Sequence, residues 1–267
     1  MDADDAALEQ IAFLARSESR VRILTHLLES GSATTREFRT HLEASRSTVA
    51  RSLNSLEERN WIESEAGEYR LTGVGTLVAE DFLDLSETIR TAGELSAFLR
   101  WFPLAEFDLE LDQLRDADVT VYTGGDPYAP GRAQNEFVRS TDRFRAFLPA
   151  IDLEGAKLAH ERIVNGELDA ELVVTEEVEE TVTSGEFARL FREKLETGRL
   201  SVQVAEDRLP FYLGLAADGR VQLGVEDDDG FPRALFESSS ESIREWAERL
   251  YEDYRAGSRP KPLEAFE

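Results

Sequence analysis

At 267 residues the chain is long enough for two domains, each with its own core. It holds no cysteine, which removes disulfide frameworks and thiolate metal centres, and no apolar run approaches the roughly 18 residues of a membrane span. The net charge of −25 is unusual for a nucleic-acid binder, and the acidic start Met1-Asp2-Ala3-Asp4-Asp5 is not a signal peptide, so a soluble cytoplasmic protein with no membrane partner is expected.

Residues 5–16 predict an amphipathic helix with Leu8, Ile11 and Leu14 or Ala15 inward. A second helix over Ser19–Leu28 would bury Val21, Leu24, Leu27 and Leu28, and Gly31 is placed to end it as a left-handed cap. Thr34-Thr35-Arg36-Glu37 has the form of a capping box opening a short third helix that runs to Leu42. After the turn at Glu43-Ala44, the stretch Ser45 to Leu56 places Val49, Leu53 and Leu56 on one helical stripe. The rest of that helix is short and polar, with Arg46 and Arg51 a little over one turn apart and Ala50 between them. Small side chains permit close approach, and arginine pairs with guanine or phosphate, so this face suits a DNA major groove. Trp61 to Glu65 and Glu68 to Thr72 flank Ala66-Gly67 and read as a β-hairpin.

Three short helices, a tight turn before the next and a hairpin match a winged helix-turn-helix. Residues 6–72 resemble that domain of archaeal and bacterial transcriptional regulators. Ser47-Thr48-Val49-Ala50-Arg51-Ser52-Leu53-Asn54-Ser55-Leu56-Glu57 resembles the family's recognition helix, Trp61-Ile62 its entry to the wing, and Leu71-Thr72-Gly73-Val74-Gly75 its L-T-x-x-G exit. The resemblance implies double-stranded DNA as partner. Arg46 and Arg51 are expected to touch it with help from Ser45, Ser47 and Thr48, while Thr35 and Arg36 contact the backbone and Arg70 serves the wing. Glu63, Glu65 and Glu68 make that wing acidic, which departs from wings that grip the minor groove and keeps a protein-docking winged helix as the alternative.

The charge is unevenly spread: residues 1–72 carry a net −4 and residues 73–267 a net −21. Only Lys157, Lys194 and Lys261 are lysines, against 27 arginines. Heavy Asp/Glu with scarce Lys resembles proteins of salt-in halophiles. At molar salt the Debye length is about 3 Å, so DNA binding would lean on short-range hydrogen bonds and shape.

From Gly73 to about Trp101 the pattern is helical, with Leu77, Val78, Phe82, Leu85, Ile89, Leu95, Phe98 and Leu99 as its stripe and Gly93 as a candidate break. Such a stripe can join two copies, and a homodimer is expected because two recognition helices one DNA turn apart read a pseudo-palindrome. Beyond Pro103 strands alternate with helices: strands at 119–123, 144–148, 171–175 and 201–204, helices at 132–140 and 152–166, then helical turns through Leu195. Strands at 211–215, 221–225 and 234–237 form a meander, residues 238–256 a last helix, and Pro260 and Pro262 an extended tail. The reading is α+β: a winged helix-turn-helix at 1–72, a helical linker at 73–103, an α/β domain with a mixed sheet at 104–259 and a tail at 260–267.

Glu245-Trp246-Ala247-Glu248-Arg249-Leu250-Tyr251-Glu252-Asp253-Tyr254, after Ala234-Leu235-Phe236-Glu237-Ser238, resembles the close of the sensor domain in archaeal methanogenesis-regulator-type transcription factors. That family joins a winged helix to an effector domain related in fold to the phospholipase D superfamily, and it implies a sensor with no assigned ligand. A phospholipase D-like hydrolase would need His-x-Lys-(x4)-Asp. The one echo, His160-Glu161-Arg162 with Glu167, substitutes both partners and falls in a predicted helix, so no catalytic residue, cofactor or metal is assigned. Gly124-Gly125 lacks a Walker lysine, and the runs Asp227-Asp228-Asp229 and Glu176-Glu177 with Glu179-Glu180 read as solvated faces. In α/β sheets, ligands collect at the carboxyl ends of parallel strands. The expected pocket for a small-molecule effector, polar and phosphorylated or carboxylated, therefore draws on Thr123, Gly124, Gly125, Asp126, Thr175 and Tyr212, the turn at 149–152, and Arg143 and Arg145.

Overall fold

A computed structural model describes residues 3–115, 117–228 and 230–266. The chain divides into two compact units, Met1–Arg90 and Thr91–Glu267, so the division falls inside the segment 73–103 read as a linker.

Unit 1 runs α1 (Ala3–Ala15), α2 (Glu18–Ser30), β1 (Ala33–Thr34), α3 (Thr35–His41), α4 (Arg46–Glu57), β2 (Ile62–Glu65), β3 (Glu68–Leu71) and α5 (Gly73–Glu94). The local signals behave as their chemistry predicts. Thr34 Oγ1 accepts from the Glu37 N–H at 3.3 Å, and the Glu37 carboxylate accepts from the Thr34 N–H at 2.7 Å. Those bonds hold the exposed Glu37 carboxyl below its usual range. Gly31 has φ +78° and returns its N–H to the Leu27 carbonyl. β2 and β3 pair antiparallel about Ala66-Gly67, both at positive φ, and β1, too short to read from sequence, pairs with β3.

The core of this unit gathers Leu14, Ile23, Leu24, Leu27, Phe38, Val49, Leu53, Leu56, Trp61 and Ile62. Two expectations about it need correction. On α1 the chain turns Leu14 and Phe13 inward and leaves Leu8 63 % and Ile11 43 % exposed. On α2 Ile23 is fully buried, while Val21 and Leu28 are only half-buried. The stripe of α5 also splits: Val78, Ala79 and Phe82 pack on the core, whereas Leu77, Leu85 and Ile89 stay exposed. Gly93 does not break the helix, which runs through to Glu94 before a short α6 (Ser96–Leu99).

Unit 2 continues with β4 (Asp118–Val121), α7 (Ala129–Ser140), β5 (Arg143–Leu148), α8 (Leu153–Val164), β6 (Asp169–Val174), α9 (Glu176–Val182), α10 (Gly185–Glu196) and β7 (Leu200–Ala205). The meander β8 (Tyr212–Ala216), β9 (Val221–Glu226) and β10 (Pro232–Ser238) follows, then α11 (Glu241–Ala256) and β11 (Ser258–Pro260). One eight-stranded sheet has the order β11-β7-β6-β5-β8-β9-β10-β4, with β5, β6 and β7 parallel and the remaining pairs antiparallel. Residues alternate between its faces. Phe147, Val173, Leu213 and Leu223 join Trp246 and Tyr251 of α11 on one side. Phe144, Ala146, Leu172 and Val174 meet the helices bearing Phe137, Ile163 and Phe191 on the other.

β4 overturns the first βαβ unit. It pairs with β10 at the far edge, so β8, β9 and β10 lie between it and β5. Of the tail expected to be extended, Pro260 ends a strand, while Leu263–Phe266 wind into a short 3-10 helix. Ser258–Pro260 adds a strand to β7, and Arg259 and Lys261 both grip the Glu179 carboxylate, lowering its pKa.

Candidate nucleic-acid interface and ligand cavity

α4 buries Val49, Ser52, Leu53 and Leu56 and exposes Arg46, Ser47, Ala50, Arg51 and Asn54. Its N-terminus is capped from within: Ser45 Oγ accepts from the Thr48 N–H at 3.2 Å and lies 2.9 Å from the hydroxyls of both Ser47 and Thr48. The cap engages the hydroxyls of Ser45, Ser47 and Thr48 with one another and leaves the outer face to the two arginines. Thr35 and Arg36 open α3, with Arg36 exposed.

The nine arginines of residues 1–72 sort into two groups. Arg20 donates to the Phe13 carbonyl at 2.7 Å and to Ser55, Arg59 donates to Gln10 and the Ser55 carbonyl, and both guanidinium groups lie over the Phe13 ring. Arg22 donates to the His41 carbonyl at 2.8 Å. These three tie helices together. Arg70, the wing residue, lies 3.5 Å from Glu68. Among the described residues no side-chain hydrogen bond or ion pair engages Arg16, Arg36, Arg39, Arg46 or Arg51. Arg16 and Arg51 also line one open groove beside Thr48. Arg16, Arg39 and Asn54 were missed in the sequence: helical phase exposes Asn54, but only the fold shows which arginines are left unspent.

The residues expected to form an effector pocket are not brought together. Thr123 and Asp126 close a two-residue turn over Gly124-Gly125, with the Asp126 N–H donating to Thr123 Oγ1 at 3.1 Å, and Asp126 pairs with Arg132. That turn follows β4 at the sheet edge. Thr175 Oγ1 accepts from the Val178 N–H and caps α9. Arg143 and Arg145 stand on β5 in a cleft shared with Arg244 and Arg255 of α11, where Arg145 meets Glu248 at 3.1 Å and Glu252 at 3.3 Å. Tyr212 lies on the opposite face of the sheet. Its hydroxyl is buried, and burial raises its pKa well above the ordinary tyrosine range while the Gln134 amide beside it opposes the shift.

A separate cavity of about 70 Å³ lies between β5, β6 and the helices α7, α8 and α10. Phe144, Ile163, Leu172 and Phe191 wall it, and the small Gly155, Ala156, Ala159 and Ala170 leave its space open. Its polar lining is Gln134, Asn135 and Asp152. Ala150, Ile151 and Asp152 belong to the turn after β5, one of the strand ends named from the sequence.

His160 of the hydrolase echo lies in α8 with Nε2 2.6 Å from Glu193. Arg162 donates to the carbonyls of Val138 and Thr141, both at 2.6 Å, and so fastens α8 to the end of α7. Asp227 accepts from Arg233 and from the Phe231 N–H across the β9–β10 turn, and Asp229 lies outside the described residues. No group of three metal-ligating side chains occurs among the described residues, and no described helix is long and apolar enough to cross a membrane.

Among solved structures, the archaeal chromatin protein TrmBL2, whose structure is reported to show a novel mode of DNA binding, is 13 % identical over 95 % of this chain and 99 % of its own, with a TM-score of 0.44. Nuc from Salmonella typhimurium, a phospholipase D family member, is 10 % identical over 55 % of this chain and 99 % of its own, with a TM-score of 0.42. NucT from Helicobacter pylori is 9 % identical over the same shares, at 0.39. No curated protein matches the sequence. Residues 8–94 match the HVO_A0261 N-terminal domain, and residues 127–257 match the middle domain of the methanogenesis regulatory protein FilR1. The chain thus joins an HVO_A0261-type N-terminal domain to a domain of the kind in the middle of the methanogenesis regulatory protein FilR1.

Proposed function

We propose that the protein is a DNA-binding transcriptional regulator whose unit 2 binds a small-molecule effector and thereby changes promoter affinity. The observation that carries this reading is the sorting of arginines in unit 1. Arg46 and Arg51 project from the exposed face of α4 without partners, beside Ala50 and Asn54. An arginine on such a helix can take guanine O6 and N7, and an asparagine can take adenine. Arg16, Arg36 and Arg39 are free to meet phosphates. The protein works as a homodimer through the exposed Leu77, Leu85 and Ile89 of α5. Its acidic surface suits a cytoplasm of molar salt. The test is a mobility shift in molar KCl with fragments of the protein's own upstream region. A specific complex that Arg46→Ala and Arg51→Ala both weaken supports the reading, and an unchanged complex in both places another face on DNA.

A second reading has one observation in its favour. Glu63, Ser64 and Glu65 are all exposed on the wing, so the hairpin presents an acidic edge suited to a basic protein partner. Charge reversal of Glu63 and Glu65 would then abolish partner capture without touching the DNA complex.

A further inference from the structure

We infer that the effector site of unit 2 is the cavity between α7, α8 and α10, and that it takes a small uncharged amphiphile carrying a branched aliphatic group and a head that both donates and accepts hydrogen bonds. The inference rests on the reading of unit 2 as a sensor and gives that sensor a place and a ligand class.

Protein interiors pack with few voids larger than a water molecule, so a hollow of this kind beside a sheet gives a small molecule room to bind. Here the hollow has a cause in the sequence. Gly155, Ala156 and Ala159 of α8 and Ala170 of β6 line it, and their small side chains leave the space beside Phe144 and Phe191 unfilled. At about 70 Å³ it has roughly half the volume of the 150 Å³ apolar cavity that admits benzene. The buried group is therefore smaller than a phenyl ring, of the order of an isopropyl group.

The polar lining selects the head. Gln134 and Asn135 each offer an amide donor and acceptor, and Asp152 Oδ1 is taken by the Gly155 N–H at 2.8 Å, which leaves its second oxygen as an acceptor. Among the described residues no lysine or arginine lines the cavity. A carboxylate or phosphate would meet Asp152 with nothing to offset it, so the anionic effector expected from the sequence does not fit this site.

A second feature lies in the same region. The buried Tyr212 hydroxyl on β8 stands beside the Gln134 amide, and Gln222 Oε1 on the neighbouring β9 is buried without a hydrogen bond. Buried polar atoms are nearly always paired. The Tyr212 ring tip crowds the same point above Gly214 as Phe144, a wall of the cavity, and Gln134 stands beside its hydroxyl. A ligand head that engages Gln134 thus lies next to the buried Tyr212 hydroxyl.

The test uses the full chain in molar KCl with isobutyramide as probe and isobutyrate as its charged counterpart, read by thermal shift and by titration. Isobutyramide is expected to raise Tm, and isobutyrate to bind at least about tenfold more weakly, the loss that about 1.4 kcal/mol produces. Ala159→Leu fills the hollow and should remove the response. Asn135→Leu keeps the hollow but removes a polar partner and should weaken isobutyramide about tenfold. Leu172→Ala enlarges it and should admit benzamide, which the wild-type cavity excludes; this is a gain of binding, which loss of the fold cannot produce. Equal binding of isobutyrate, a response that survives Ala159→Leu, or no response to isobutyramide overturns the assignment. A mobility shift on the same samples reports separately on DNA binding, so failure of the cavity and failure of the regulator reading are told apart.

Discussion

The Arg70 guanidinium lies 3.5 Å from the carboxylate of Glu68, two residues earlier on the same strand of the wing. Glu68 Oε2 also accepts from the Ser32 hydroxyl at 3.1 Å, which holds the carboxylate in place. The wing's one cation is thereby partly neutralised before it meets DNA. Glu68→Gln should free it and tighten binding to the upstream fragment by roughly a few-fold at reduced salt, with a smaller gain in molar KCl, where charges are screened within about 3 Å. Anisotropy titrations at two salt concentrations check this. Binding no tighter at the lower salt takes the wing out of the interface.

Arg46 and Arg51 should behave differently from Arg16 and Arg39. Replacing either of the first two by Ala is expected to cost about 1–3 kcal/mol and to relax base preference at one position if that residue reads a base. Replacing Arg16 or Arg39 should weaken all sequences alike and lower the salt slope by about one. Competition binding on a set of single-base operator variants separates the two classes. An even loss across all four substitutions would mean that α4 makes no base contact.

Local signals carried much of unit 1 in the sequence. The capping box at Thr34 and Glu37, the stripe Val49, Leu53 and Leu56, and the Ala66-Gly67 turn each depend on residues close in the chain. What stayed hidden was non-local. Strand β4 reads as the first of a βαβ series, yet its partner is β10, more than 100 residues later. No periodicity within β4 encodes that choice. The effector residues were misgrouped for the same reason, since strand ends converge only among neighbours in the sheet. The cavity leaves a faint trace as alanines and glycine in α8, but small residues in a helix have many causes.

Leu77 and Leu85 test the dimer better than Phe82 does. Phe82 is half-buried against the core of unit 1, so a charge there would damage the fold itself. Leu77 is 64 % and Leu85 44 % exposed, and charges at both should be tolerated by a monomer. Sedimentation of Leu77→Glu/Leu85→Glu is expected to show a folded monomer with weakened DNA binding. A dimer of unchanged stability would move the interface elsewhere.

Gly75 in the Leu71-Thr72-Gly73-Val74-Gly75 phrase has a structural reason that the phrase alone does not reveal. A Cβ built there would lie 1.7 Å from the Trp61 carbonyl oxygen, because the first turn of α5 presses against that backbone. The Gly75 N–H donates to Thr72 Oγ1 at 2.9 Å, which fixes the approach. Gly75→Ala should destabilise unit 1 by about 3 kcal/mol or more, since backbone must move to relieve the overlap. Gly73→Ala, with open space around it, should cost little. Denaturant unfolding of both variants makes the comparison, and equal stability would mean that α5 does not seat on Trp61 as described.

Lys194 on α10 sets a pH dependence whose sign can be worked out. Its side chain is 1 % exposed, and its ammonium lies 3.6 Å from the centroid of the Phe191 ring. Burial lowers its pKa from 10.5 to about 7. Between those two values the unfolded chain binds a proton that the folded chain does not, so stability rises with pH across that window. Below about pH 7 both states are protonated and the cost of burying the charge is fully present. Lys194→Met keeps much of the aliphatic volume and removes the charge. It should stabilise the protein near neutral pH and flatten the slope, which approaches about 1.4 kcal/mol per pH unit where only the unfolded state is protonated. Unfolding curves of wild type and Lys194→Met from pH 6.5 to 9.5 measure it, at roughly constant molar salt so that surface charges contribute little. Parallel stability profiles for the two proteins would show that the lysine stays solvated in the native state.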